Sequence, residues 1–350
     1  MDEEVLEKKS TSADEADEME GGIVDLEGQG LNSVQIPDVV DLRTLILDNN
    51  HIARLENLEK CSQLSQLSAI NNHIVRMSGI QTVSTLTVLS LSNNSIVSIE
   101  GLDNLHRLTW LDLSSNSIKT IEHLPHGGQL HYIDLSGNDI SMISDLEHLK
   151  ELKTLLLHSN NISSLKSAVN NLPQSLTVLS LADNSLCDLN EICYLNGLDS
   201  LQQLSIADNP CVLSTPDNQS FDYRPFVWNW CPGLCILDGF VVSEKEKLLG
   251  EWLYSQGKGR HFHPGQHVQL VEHLAITCPL TATDTGKVQT FPISSQRLSP
   301  IPILNTRPGH NRESGVSDLV TLPSPQFCAV IACNRAASFI LNLGQLFMMA

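Results

Sequence analysis

Between Leu42 and Cys211 the chain repeats one spacing of apolar and polar positions. An apolar residue is followed by two free positions, two apolar residues separated by one, two more free positions, an asparagine, and an apolar residue two places on. Leu42-Leu45-Leu47-Asn50-Ile52 is the first instance. Leu64-Leu67-Ala69-Asn72-Ile74, Leu86-Leu89-Leu91-Asn94-Ile96, Leu108-Leu111-Leu113-Asn116-Ile118 and Leu130-Ile133-Leu135-Asn138-Ile140 follow. Leu152-Leu155-Leu157-Asn160-Ile162, Leu176-Leu179-Leu181-Asn184-Leu186 and Leu201-Leu204-Ile206-Asn209-Cys211 complete the series. The asparagines step by 22 residues five times, then by 24 and 25. Eight frames in phase predict a repeat architecture. The alternation inside each frame has period 2, so each predicts a short strand with two side chains inward.

This is the leucine-rich repeat pattern, which predicts an α/β solenoid with parallel strands on a concave face. The asparagine amides are suited to bond main-chain groups in the turn after each strand. Leu55, Met77, Ile99, Ile121, Ile143, Leu165 and Leu189 bring the chain back over the convex side. Twenty-two residues leave room there for 3-10 or single-turn segments rather than full helices. A repeat cannot bury its apolar face alone, so the stack needs a cap at each end. Leu26, Gln29, Leu31 and Val34 form a degenerate half-repeat at one end. Tyr223-Arg224-Pro225 and Leu237-Asp238-Gly239 bracket the other cap, with Phe226, Trp228, Trp230 and Leu234 covering the last repeat.

The chain therefore divides into an acidic start over 1–22, a capped solenoid over 23–240, a helical extension over 241–280 and a Pro/Ser-rich tail over 281–350. In the extension, Ser243 with Glu246 forms a capping box before a helix with an apolar stripe of Leu248, Leu249, Trp252 and Leu253, ended by Gly257. Pro264 begins a second helix with Val268, Val271, Leu274 and Ala275 on one side, stopped by Pro279. Two readings stay open: the helices pack on the cap, or one is an independent docking helix. The apolar end from Phe327 contains Asn334, Arg335, Asn342 and Gln345. It reads as an altered or alternatively spliced terminus rather than a membrane anchor.

The formal net charge of −19 disfavours nucleic acid and anionic membrane as partners, because both demand a positive surface. Nine acids in the first twenty-two residues exclude the expectation of a signal peptide or a mitochondrial presequence. Nine cysteines, an odd number without a CxxC pair, read as reduced thiols in a cytosolic protein. No catalytic constellation, cofactor motif or metal site stands out. His261, His263 and His267 need a further ligand to hold Zn²⁺ and read as a solvated loop. Ser299-Pro300 and Ser324-Pro325 suit proline-directed phosphorylation. The expected function is non-enzymatic.

With the leucines in the core, function falls to positions three, five and seven of each frame, which point onto the concave face. No lysine or arginine occupies any of them. The candidate protein-binding residues are Ile46, Asp48, Ile70, Trp110, Asp112, Tyr132, Asp134, Leu156 and His158. Trp110 and Tyr132 fall on adjacent strands, about 5 Å apart, edged by Asp112 and Asp134. An aromatic pair flanked by carboxylates suits an apolar segment carrying Arg or Lys. The alternative is that both rings only cover neighbouring strands.

Several segments are more specific than the repeat: Thr44-Leu45-Ile46-Leu47-Asp48, Leu55 to Cys61, Lys153 to His158, Phe221-Asp222-Tyr223-Arg224-Pro225, Pro264-Gly265-Gln266-His267 and Cys278-Pro279-Leu280. The most selective is Glu251-Trp252-Leu253-Tyr254-Ser255-Gln256-Gly257-Lys258-Gly259-Arg260. Over residues 23–280 the chain resembles the N-terminal region of the family of leucine-rich-repeat centrosomal proteins of 97 kDa. The resemblance implies a scaffold at the centrosome, in the cytoplasm at the cilium base. It also implies a centriolar coiled-coil protein as partner, capping of centriole distal ends and restraint of primary cilium assembly. That family carries a calmodulin-binding IQ motif farther along. Here Ile80-Gln81 lies inside a repeat without the spaced basic residues, so calmodulin binding is not expected of this chain. A second function class is a regulatory subunit that binds a Ser/Thr phosphatase through the concave face, as similar repeat proteins do.

Overall fold

The structure, a computed structural model, describes residues 22–36, 41–126, 129–213, 221–256 and 260–280. The acidic start before Gly22, Gly257 and the tail with its apolar end and Ser-Pro pairs lie outside the described residues. The chain forms two units. The first runs to Asn161 and takes in Asn170–Ser175; the second takes Ile162–Val169 and continues from Leu176.

In the first unit every frame supplies one three-residue strand. They are β1 (Ile23–Asp25), β2 (Thr44–Ile46), β3 (Gln66–Ser68), β4 (Val88–Ser90), β5 (Trp110–Asp112), β6 (Tyr132–Asp134) and β7 (Thr154–Leu156). All pair in parallel with their sequence neighbours, and the register aligns Val24, Leu45, Leu67, Leu89, Leu111, Ile133 and Leu155. A constant 22-residue step explains the register from Leu45 to Leu155, since each frame delivers the same residue to the same rung; Val24, ahead of the first frame, lies 21 residues before Leu45. The frame leucines and isoleucines are buried, as are Leu55, Met77, Ile99, Ile121 and Ile143 on the return side. The returns are tight: 3-10 turns at Leu58–Lys60 and Ile80–Thr82. Gly79 is required before the second of these. Its φ is 106°, and a Cβ there would lie 1.8 Å from the Leu55 carbonyl oxygen.

The second unit contains β8 (Val178–Ser180) and β9 (Gln203–Ser205), paired in parallel, then β10 (Ile236–Leu237) parallel to β9 and β11 (Phe240–Val241) antiparallel to β10. A 3-10 segment covers Leu189–Leu195. One helical turn, α1 (Ala168–Asn171), has residues in each unit; the longer helices, all in the second, are α2 (Arg224–Trp230), α3 (Glu244–Ser255) and α4 (His267–Thr277). Helix α3 opens with the Ser243–Glu246 capping box. Its inward face differs from the expected stripe: Glu246, Gly250 and Leu253 are buried, while Leu248 and Trp252 are exposed. The close approach to α2 decides this. A Cβ on Gly250 would meet Trp228 Cε3 at 2.6 Å and the Pro225 carbonyl oxygen at 2.9 Å, so the helix turns its glycine inward. Helix α4 begins at His267, later than Pro264, and buries Leu270, Val271 and Leu274 but exposes Val268. Among the described residues, no helix is long and apolar enough to cross a membrane.

Candidate functional site

The asparagines join consecutive repeats. Asn138 is buried, and its Nδ2 donates to the carbonyls of Leu135 and Ser136 in its own turn and of Leu113 in the preceding repeat, at 3.0, 3.2 and 3.0 Å. Its Oδ1 accepts from Ile118 N–H at 3.0 Å. The same Oδ1 contact to the preceding repeat is made by Asn50, Asn72, Asn94, Asn116 and Asn160 in the first unit, and by Asn184 and Asn209 in the second. The amide thus satisfies main-chain groups of two turns, where the sequence motif alone points to one.

The strand face of the first unit carries the candidate binding residues. Trp110 and Tyr132 are register partners on β5 and β6, with ring centroids 3.5 Å apart and planes 6° from parallel. Both are half-buried, as are Ile70, Asp112, Leu156 and His158. Three candidates are less open to solvent than expected. Ile46, Asp48 and Asp134 are buried, because strands about 4.8 Å apart let neighbouring side chains cover one another. Asp48 Oδ1 accepts from Ser68 Oγ at 2.7 Å and Ile70 N–H at 2.8 Å. Asp134 Oδ1 accepts from Ser136 Oγ at 2.6 Å and its N–H at 2.9 Å, and Tyr132 OH lies 3.4 Å from Oδ2. Asp112 repeats the pattern with Ser114 and accepts from Ser90 Oγ through Oδ2 at 3.1 Å.

Burial, and then the negative Asp134 beside it, push the Asp112 carboxyl up to about 6. Burial also raises Asp134 and Asp48 against the hydrogen bonds they accept. The Tyr132 hydroxyl is held well above its ordinary value by burial and then by the two carboxylates. Sequence pattern placed these groups together but did not show that the carboxylates turn back into the turn.

Sequence reading missed a cluster in the second unit. Arg224 is buried; its Nε donates to Glu246 Oε1 at 2.6 Å, Nη1 to the Leu237 carbonyl at 2.6 Å and Nη2 to Phe240 and Val241 carbonyls at 3.2 and 3.3 Å. Burial opposes the Glu246 charge, but hydrogen bonds from Ser243 and Arg224 outweigh it and hold the carboxyl below its usual value. Asp238 accepts from Ile206 and Ala207 N–H at 2.7 and 2.8 Å and from Tyr223 OH at 2.8 Å, which explains the Tyr223 and Asp238 positions of the cap. Arg260 lies 4.6 Å from both the Trp230 and Tyr254 ring centroids and donates to the Asn229 carbonyl at 2.8 Å. Of the three histidines, His267 is engaged: its Nδ1 accepts from Leu189 N–H at 3.2 Å. Among the described residues no three His, Cys, Asp or Glu side chains are placed to hold a metal ion.

Family models described as leucine-rich repeat match residues 104–263 and 75–118. With one strand per frame and the asparagine contacts between frames, the assignment is decided. The chain belongs to the leucine-rich-repeat family. This leucine-rich-repeat protein is 64% identical over 294 residues to the human centrosomal protein of 97 kDa, covering 82% of this chain and 34% of that one. It is 66% identical over 294 residues to the Xenopus laevis centrosomal protein of 97 kDa, covering 82% of this chain and 36% of the relative. The resemblance to centrosomal proteins of 97 kDa is thereby confirmed. The chain spans about a third of the length of these relatives. An internalin from Listeria monocytogenes shares 24% identity at a TM-score of 0.47, over 58% of this chain and 55% of that one.

Proposed function

We propose that this chain is a non-enzymatic scaffold of the centrosome and cilium base. In this reading it acts with a centriolar coiled-coil protein to cap centriole distal ends and restrain primary cilium assembly. The observation that carries the reading is the 64% identity to a centrosomal protein across 82% of the chain. The surface assigned to binding is the strand face of the first unit, centred on Trp110 and Tyr132, with Ile70, Asp112, Leu156 and His158 around them. Stacked, half-exposed aromatic rings are the side chains most often found at the energetic centre of a protein interface.

The test is recovery of the centriolar coiled-coil protein from cell extract by the full chain and by the Trp110→Ala/Tyr132→Ala variant. Parent recovery with at least about tenfold loss in the variant is the expected result, given the roughly 2 kcal/mol or more carried by central aromatic anchors. Undiminished recovery by the variant would remove the strand face from the reading. A Ser/Thr phosphatase retained through stringent washing, without the coiled-coil protein, would replace the scaffold reading with that of a regulatory subunit.

A further inference from the structure

On the strand face of the first unit, the Trp110–Tyr132 stack stands between shorter side chains. Val88 is the register partner of Trp110 on β4, and Thr154 that of Tyr132 on β7. Both are shorter than the rings they adjoin, and Trp110 and Tyr132 remain half-buried. Two residues along the same strands, Asp112 and Asp134 are register partners on the same side of the sheet. Ser90 on β4 donates to Asp112 Oδ2. That bond directs Asp112 Oδ2 toward β4, the side of β5 away from Tyr132. Val88, Trp110 and Asp112 are half-buried there, while Ser90 is buried beneath them.

The aspartate pair has unbalanced charge. Asp112 accepts from Ser90 and Ser114, and Asp134 from Ser136 and Tyr132, all neutral donors. Among the described residues, the ion pairs lie elsewhere and involve neither aspartate. Lysine and arginine are absent from the outward strand positions of the frames. The two preceding strands carry Ser68 and Ser90 at the equivalent position, so the repeat does not itself require a carboxylate there. Two adjacent like charges oppose each other's ionisation, and a cation supplied from outside relieves both.

We propose that the Trp110–Tyr132 stack and the Asp112–Asp134 pair receive an arginine side chain carried by an extended basic segment of a protein partner. This rests on the docking reading above and names the partner's chemistry. A guanidinium is planar: it stacks on the half-buried rings while its N–H fork reaches Asp112. Buried Asp134 supports the cation through its charge. A lysine ammonium pairs with the carboxylate but does not match the flat rings.

The test uses the full chain labelled with 15N at its four tryptophans, with Trp110→Phe identifying the Trp110 indole signal. The probes are acetyl-Gly-Arg-Gly-amide and its citrulline and lysine counterparts. A saturable shift of the Trp110 signal is expected with the arginine peptide, with binding about fivefold weaker for lysine and weaker still for citrulline. Asp112→Asn, which keeps shape and an acceptor oxygen, is expected to weaken arginine binding about tenfold. An equal response to arginine and citrulline overturns the proposal, as does a Trp110 signal that does not move. Recovery of the centriolar coiled-coil protein with failure of the arginine probe would overturn this site alone. Arginine binding without that recovery would overturn the partner assignment and leave the site.

Discussion

Asp112 is a residue kept at a cost to the folded state. Its carboxyl, raised from about 3.8 to about 6 by burial and Asp134, binds its proton more tightly folded than unfolded. Its contribution to stability is therefore fully present below about pH 4 and is lost as pH rises through about 6. Asp112→Asn removes the charge and keeps the Ser114 hydrogen bonds to an amide oxygen. The variant is expected to gain on the order of 1 kcal/mol at pH 7.5, or about 3 °C in melting temperature, with little gain at pH 4. Thermal denaturation at the two pH values measures this; an equal gain at both would show that the charge is not what destabilises the parent. The same substitution is the one expected to weaken arginine binding, so stability and recognition pull this position in opposite directions.

At the scale of elements, the hairpin and helices that follow β9 are joined through a buried ion pair. Arg224 at the start of α2 ties four groups of β10, β11 and α3 together, and Glu246 holds both Arg224 and the first turn of α3. Replacing Arg224 with Met leaves Glu246 buried without its cation, a loss of about 3–5 kcal/mol. Because the folded Glu246 carboxyl lies below its usual 4.5, its contribution is present above that value and is lost as pH falls below it. Denaturant unfolding of parent and Arg224→Met at pH 7 and pH 3 should therefore show a difference that shrinks on acidification. A pH-independent difference would mean that lost packing, not the ion pair, sets the cost. The capping box of α3 was legible because Ser243 and Glu246 are three residues apart. The inward face of α3 was not, because it is chosen by Trp228 on another helix pressing on Gly250, a contact without local signature.

At the scale of the molecule, what repeats along the chain was legible and what crosses it was not. A fixed 22-residue step delivers Leu45, Leu67, Leu89 and Leu111 to one rung, so strand order and register follow from counting. The Trp110 and Tyr132 contact follows from the same count. Arg260 between Trp230 and Tyr254 joins residues with no common period, so the most distinctive segment of the chain could be recognised but not explained from sequence. The burial of Asp48 and Asp134 was missed for a related reason: periodicity tells which side of a strand a residue leaves, not how far its side chain curls back. The same one-dimensional order governs stability, since each repeat is held mainly by its neighbours. Asn138→Ala in the first unit removes three donated bonds and leaves the Ile118 N–H without its acceptor. A loss of about 2–4 kcal/mol is expected from unpaired buried groups. Amide hydrogen exchange should show the largest loss of protection at β5, β6 and β7 and a smaller one toward β1, because the lesion sits in the contacts between neighbouring turns. A uniform loss from β1 to β7 would mean instead that the unit opens as a single cooperative block, with coupling between repeats stronger than the bonds Asn138 makes.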